Sequence, residues 1–159
     1  MKQIMYALIL TAMAAVVGLA QEERGKVALG FTNANTDYFG TNARGINASG
    51  QFKAYEYDGV KLEAVGDFAV LFVNGERIYT LLAGPQVGVD LFKNRFNPFA
   101  RILFGASIYE GSVYGYSAGF GVDVNVSKNT FIRGTYDRQV FNGSVQPVYR
   151  TTIAVGRRF

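Results

Sequence analysis

The ten residues Arg150-Thr151-Thr152-Ile153-Ala154-Val155-Gly156-Arg157-Arg158-Phe159 decide how the rest of the chain is read. In an extended strand, successive side chains point to opposite faces. Phe159, Arg157, Val155, Ile153 and Thr151 therefore share one face, and Arg158, Gly156, Ala154, Thr152 and Arg150 share the other. One face is mainly apolar, the other small and polar, and the segment ends on a bare aromatic. That pattern reads as the closing strand of a barrel with lipid outside and a polar interior.

Seven earlier segments alternate in the same way: Lys26 to Thr32, Ile46 to Glu56, Val60 to Val73, Glu76 to Leu91, Phe99 to Tyr109, Ser112 to Val126 and Thr130 to Arg138. With Tyr149 to Phe159 they predict an all-β chain, an eight-stranded antiparallel up-and-down transmembrane β-barrel of meander topology. Alternation in one segment is a weak signal. Turn parity is stronger, because a one-residue slip would send every outward side chain inward.

The second strand shows Ile46, Ala48, Gly50, Phe52 and Ala54 on one face, and the third shows Val60, Leu62, Ala64, Gly66, Phe68 and Val70. A three-residue loop, Tyr57-Asp58-Gly59, matches them by pairing Glu56 with Val60, Phe52 with Ala64 and Ala48 with Phe68. Lys53 then falls opposite Glu63 on the inner face. Asn74-Gly75 is a two-residue type I′ hairpin signal. It sets Val70 against Tyr79, Phe68 against Leu81, Gly66 against Ala83 and Leu62 against Val87. Ser127-Lys128-Asn129 offers a third turn, with Asn129 in the left-handed position, aligning Val124 with Ile132 outside and Asp123 with Arg133 inside.

The remaining links are Phe92 to Pro98, Glu110-Gly111, Thr32 to Gly45 and Gln139 to Val148. Three short turns and both termini thus share one end, and four loops share the other, the layout of a barrel inserted with its termini in the periplasm. Pro85 cannot donate a ladder hydrogen bond, so a bulge or local distortion is expected in the fourth strand.

Lys2, the apolar run Ile4 to Val17 and the small residues Gly18-Leu19-Ala20 predict a cleaved signal peptide over residues 1–20, leaving a barrel domain over 21–159. The run is shorter than the ~20 apolar residues of a membrane-crossing helix. Cysteine is absent, which excludes a lipid-modified cysteine, a disulfide framework and thiolate metal sites. The net charge of +4 falls to +3 without the leader, which holds Lys2 and no acid. Lys and Arg recur singly among Asp and Glu, so no nucleic-acid partner is expected. The 19 glycines suit a crowded interior, and the 13 Phe and 10 Tyr suit two interfacial girdles. Tyr79, Tyr114, Tyr116 and Phe72 would form the loop-side girdle, with Phe92, Phe96 and Phe159 on the turn side.

Lys53, Glu63, Asp67, Arg101, Asp123, Arg133 and Asp137 all point inward on this reading. Eight strands enclose only enough room for side chains, so these charges should pair within a filled interior. With its leader, its eight strands, its short turns and terminal Phe159, the chain from Glu22 to Phe159 resembles the small outer-membrane barrels related to OmpX and the OmpA transmembrane domain. The resemblance implies the Gram-negative outer membrane, contact with its lipid and lipopolysaccharide, and passage through periplasmic chaperones and the barrel-assembly machinery. It also implies that this machinery reads Phe159 as an assembly signal. Arg157 departs from the family pattern, which usually has an apolar or aromatic residue there.

Barrel enzymes of similar architecture use histidine as base or as partner to a nucleophile, and this chain has none. Ser49 and Lys53 share an inner face without any other mark of a site, so no enzyme is expected. Gly119-Phe120-Gly121 lies inside a strand with no following helix and is not a nucleotide loop. The acids are too scattered for a calcium loop, and no cofactor is expected. Two functions remain. One is a structural or surface-interaction barrel with a cell-surface partner at the loops, where Tyr38, Phe39, Phe141 and Tyr149 are candidate contacts or rest on the rim. The other is a narrow passive channel for ions or very small solutes.

Overall fold

The computed structural model describes residues 25–36, 41–109, 111–142 and 146–159. The expected leader over 1–20 lies outside the described residues, as do Tyr38 and Phe39. The described residues form eight strands: β1 (Gly25–Thr36), β2 (Thr41–Tyr57), β3 (Val60–Val73), β4 (Glu76–Val89), β5 (Phe96–Tyr109), β6 (Gly111–Asn125), β7 (Thr130–Phe141) and β8 (Val148–Arg158). Each pairs antiparallel with its neighbours, and β1 closes on β8. Closure leaves no edge strand, so the wall satisfies its own backbone groups. Gly25, Phe159 and the turns after β2, β4 and β6 share one end, called the terminus end below; the Asn74-Gly75 hairpin lies at the other, the loop end.

Side chains divide as the alternation requires. Leu29, Phe31, Phe120 and Ile153 are 68%, 79%, 63% and 66% exposed on the outer wall, while Asp123, Asp137 and Arg150 are fully enclosed. Such a wall inverts the usual arrangement of a water-soluble protein, and it matches an apolar solvent.

Asn74 and Gly75 take left-handed φ values of 50° and 86°, and the β3–β4 register agrees with the sequence reading at Val70–Tyr79, Phe68–Leu81, Gly66–Ala83 and Leu62–Val87. The β6–β7 register also agrees, with Val124 opposite Ile132 and Asp123 opposite Arg133. That turn closes through Val126 and Ser127 amides donating to the Thr130 carbonyl, and Asn129 is not left-handed.

The β2–β3 connection corrects the sequence reading. Phe52–Ala64, Ala48–Phe68 and Lys53–Glu63 pair as expected, but Glu56 pairs with Lys61 and Tyr57 with Val60. The turn is Asp58-Gly59, at φ 47° and 78°, and the odd residue is Ala54, bulged between Lys53 and Tyr55. A two-residue type I′ turn suits the strand twist, and a bulge restores the inward parity of the upper strand. At Pro85 the expected distortion takes the form of a gap and not a bulge: the β4–β5 ladder omits Gly84 and Pro85 and resumes at Gln86–Arg101 in the same register.

Toward the loop end the strands run further than their apolar alternation suggested. β1 and β2 stay paired through Asn33–Arg44 and Ala34–Ala43, and β7 reaches Phe141. There the polar residues face outward and the small or apolar ones inward, so a search for apolar-out segments ends too early.

Candidate functional site

The enclosed charges form two groups, each with two acids and two bases. Nearer the terminus end, Arg133 donates from Nε and Nη2 to Asp123 at 2.7 and 2.6 Å, and from Nη2 to Gln51 Oε1 at 2.8 Å. Lys26 lies 2.7 Å from Glu63 and 3.6 Å from Asp123, and Gln86 Nε2 donates to Glu63 at 2.7 Å. The Arg133 guanidinium also lies over the rings of Phe99 and Phe131, at 4.8 and 5.3 Å from their centroids. Those rings have room because Phe99 is paired with Gly121 and Phe131 with Gly156. A Cβ on Gly121 would come within 3.0 Å of the Phe99 ring, and one on Gly156 within 2.6 Å of the Phe131 ring.

The second group sits further toward the loop end. Arg101 donates from Nε and Nη2 to Asp137 at 2.9 and 2.7 Å, a bidentate fork. Arg150 donates to Asp67 at 2.7 Å, while Arg101–Asp67 and Arg150–Asp137 close the square at 3.5 and 3.6 Å. Removing charge from water costs several kcal/mol per ion, and close pairing offsets it. Both groups are neutral overall, so the interior holds these ions without a net charge.

Apolar side chains fill the interior beside the second group and beyond it, among buried polar residues such as Asn47, Thr80 and Ser107. Val65, Leu82, Leu103 and Phe141 pack together, and Ala34, Ala43, Leu71, Val73 and Ile78 close the loop end. Glu63, Asp67, Arg101, Asp123, Arg133 and Asp137 therefore stand in the interior and are joined by Lys26, Gln51, Gln86 and Arg150. Lys53 does not join them. It lies opposite Glu63 in the ladder, yet its Nζ contacts Glu56 at 2.6 Å at the terminus-end mouth, and Glu63 is taken by Lys26 instead. Phe141 is also not a loop contact: it ends β7 and is buried in the apolar interior opposite Gly115. Tyr149 stands on the outer wall within β8, its ring 6.1 Å from that of Tyr136. Phe159 is partly exposed, and its amide donates to the Gly25 carbonyl.

Sequence reading missed Arg150 although its inward parity was plain. Its acid partner is on β3, far round the wall from β8, and ladder pairing identifies only adjacent strands. Lys26 was missed for the same reason, reaching from β1 past β2 to Glu63 on β3.

No protein-family model matches the sequence, and no curated protein matches it. Solved structures do match by shape. Neisserial surface protein A is 14% identical with a TM-score of 0.62, over 84% of this chain and 94% of that one. Ail, the attachment invasion locus protein of Yersinia pestis, is 15% identical with a TM-score of 0.57, over 87% of this chain and all of its own. A de novo designed transmembrane β-barrel is 16% identical with a TM-score of 0.60, over 89% of this chain and all of its own. At these identities the likeness concerns architecture, and the chain has the fold of the small eight-stranded outer-membrane barrels.

Proposed function

We propose that this chain is a Gram-negative outer-membrane protein whose barrel is a sealed, structural body and whose work is done at its surface, without catalysis or cofactor. The observation that carries the reading is the filled interior: two neutral ion groups beneath an apolar closure at the loop end. A passive channel needs a continuous wet path, and Leu71, Val73, Ile78, Leu82 and Leu103 stand across it. The test is planar-bilayer recording of the refolded mature chain, with folding checked by heat-dependent gel mobility. The reading expects silence at all voltages; reproducible conductance steps would replace it with the channel.

Outer-membrane lipid and lipopolysaccharide are proposed as its standing partners. Among the described strand residues the only charges facing outward are Arg44, Arg77, Arg138 and Arg157. Arg44 and Arg77 flank Phe72 on adjacent strands at the loop end and form no ion pair with any described residue. Arginine at a bilayer interface costs only about 0–1 kcal/mol, against 2–4 at the midplane, and can meet lipid phosphates there. Phe159 is proposed as the signal read by the barrel-assembly machinery, after chaperone escort. A cell-surface partner would meet the loops, including Tyr38 and Phe39.

A further inference from the structure

The terminus end of the barrel opens into a cavity of about 820 Å³, within the ~300–1,000 Å³ range of small-ligand sites. Its lining is rich in cations, and the question is how many are already matched. Lys26 is matched by Glu63 at 2.7 Å, Lys53 by Glu56 at 2.6 Å and Lys61 by Asp90 at 2.5 Å. Both acidic side chains of the lining, Glu56 and Glu63, are thereby engaged. Four lining cations remain. Lys93, Arg95 and Lys128 form no ion pair with any described residue. Among the described residues Arg158 donates to the amide oxygens of Asn125 at 2.6 Å and Asn97 at 3.2 Å, which carry no charge.

The turns that carry Lys93, Arg95 and Lys128 are tied to each other through their backbone. Lys93 and Arg95 lie on the β4–β5 turn, and the Asn125 amide beside the β6–β7 turn donates to the Arg95 carbonyl at 3.0 Å. Asn125 Nδ2 also donates to the Asn94 carbonyl, so the two turns are tied at two points. Phe92, Lys93 and Asn94 take φ values of 50°, 57° and 67°, a left-handed run that residues other than glycine and asparagine seldom adopt. Like charges around one mouth repel each other and focus a positive field into it. A bound anion relieves that repulsion.

We propose that this vestibule binds a compact multivalent oxyanion, typified by linked phosphates, through Lys93, Arg95, Lys128 and Arg158. The same chemistry is offered by soluble phosphate compounds and by headgroups of the adjoining leaflet.

The test is calorimetric titration of sodium tripolyphosphate into the refolded mature chain in zwitterionic micelles. One saturable site is expected, weakened at least tenfold in the triple variant Lys93→Ala, Arg95→Ala, Lys128→Ala. If the triple variant fails the gel-mobility check, the three single variants are measured, each expected to weaken binding several-fold. Repeating the titration in bicelles containing cardiolipin, whose two phosphates are linked through glycerol, separates the sources: suppressed binding assigns the site to lipid headgroups, retained binding to a soluble phosphate. Absence of a saturable site in the parent chain, or equal binding by the charge-deleted variants, would overturn the proposal.

Discussion

Arg133 is a charged side chain almost wholly out of water, and three kinds of contact make that tolerable: the two-point bond to Asp123, the Gln51 oxygen, and the flanking Phe99 and Phe131 rings. Removing one partner of a buried pair strands the other, at a cost of about 3–5 kcal/mol. Asp123→Ala should therefore lower stability by roughly that amount in urea titrations of the folded barrel. Asp123→Ala combined with Arg133→Met should lose less than Asp123→Ala alone, because no orphan charge remains; an equal or greater loss would mean that the pair is not the source. The glycine floors make a separate prediction. Gly156→Ala puts a methyl group into the Phe131 ring, and overpacking of this kind costs about 1–3 kcal/mol. The Asp123–Arg133 juxtaposition was legible from turn parity alone, since both residues sit on adjacent strands. Lys53 was not, because position opposite Glu63 fixes the backbone but not which amine a carboxylate takes.

At the scale of the elements, two local features keep the hairpins in register. The Asn74-Gly75 turn needs a left-handed residue at Gly75, and an L-residue there costs about 1–2 kcal/mol. Gly75→Ala should destabilise by that much in the same urea assay without altering the β3–β4 pairing, which backbone amide shifts would report. The Ala54 bulge restores parity between Lys53 and Tyr55. Deleting Ala54 should still yield a folded, heat-modifiable barrel with Lys53 opposite Glu63; loss of the folded band would show that the bulge is required for closure. Sequence reading found the need for one odd residue but assigned it to the turn, because parity counts residues and does not say where the extra one sits. It also ended β1 at Thr32 and began β2 at Ile46, since beyond the apolar belt Asn33, Asn35 and Asn42 face outward while Ala34 and Ala43 face inward. The alternation continues there with its polarity reversed.

For the whole molecule, the exterior was legible and the interior only in outline. The outward apolar face repeats along each strand, so a single sequence carries it many times over. Interior partners meet across the lumen, as Arg150 meets Asp67 and Arg101 meets Asp137, and no pairing rule between neighbouring strands finds them. The apolar closure was missed for a related reason: Leu71, Val73 and Ile78 look like a break in the polar inner face until the barrel brings Ala34 and Ala43 alongside. The central claim is that these layers seal the barrel, and it can be tested inside them. Ser117 is fully buried, with Leu103 and Gln139 as its ladder neighbours. The chain has no cysteine, so Ser117→Cys introduces a single, nearly isosteric thiol. In the folded barrel in bilayers, a water-soluble maleimide added to both sides should leave that thiol unlabelled, with full labelling only after denaturation. Labelling of the folded barrel at the rate of an exposed thiol would mean that water reaches this layer of the interior, and the sealed-body account would fail.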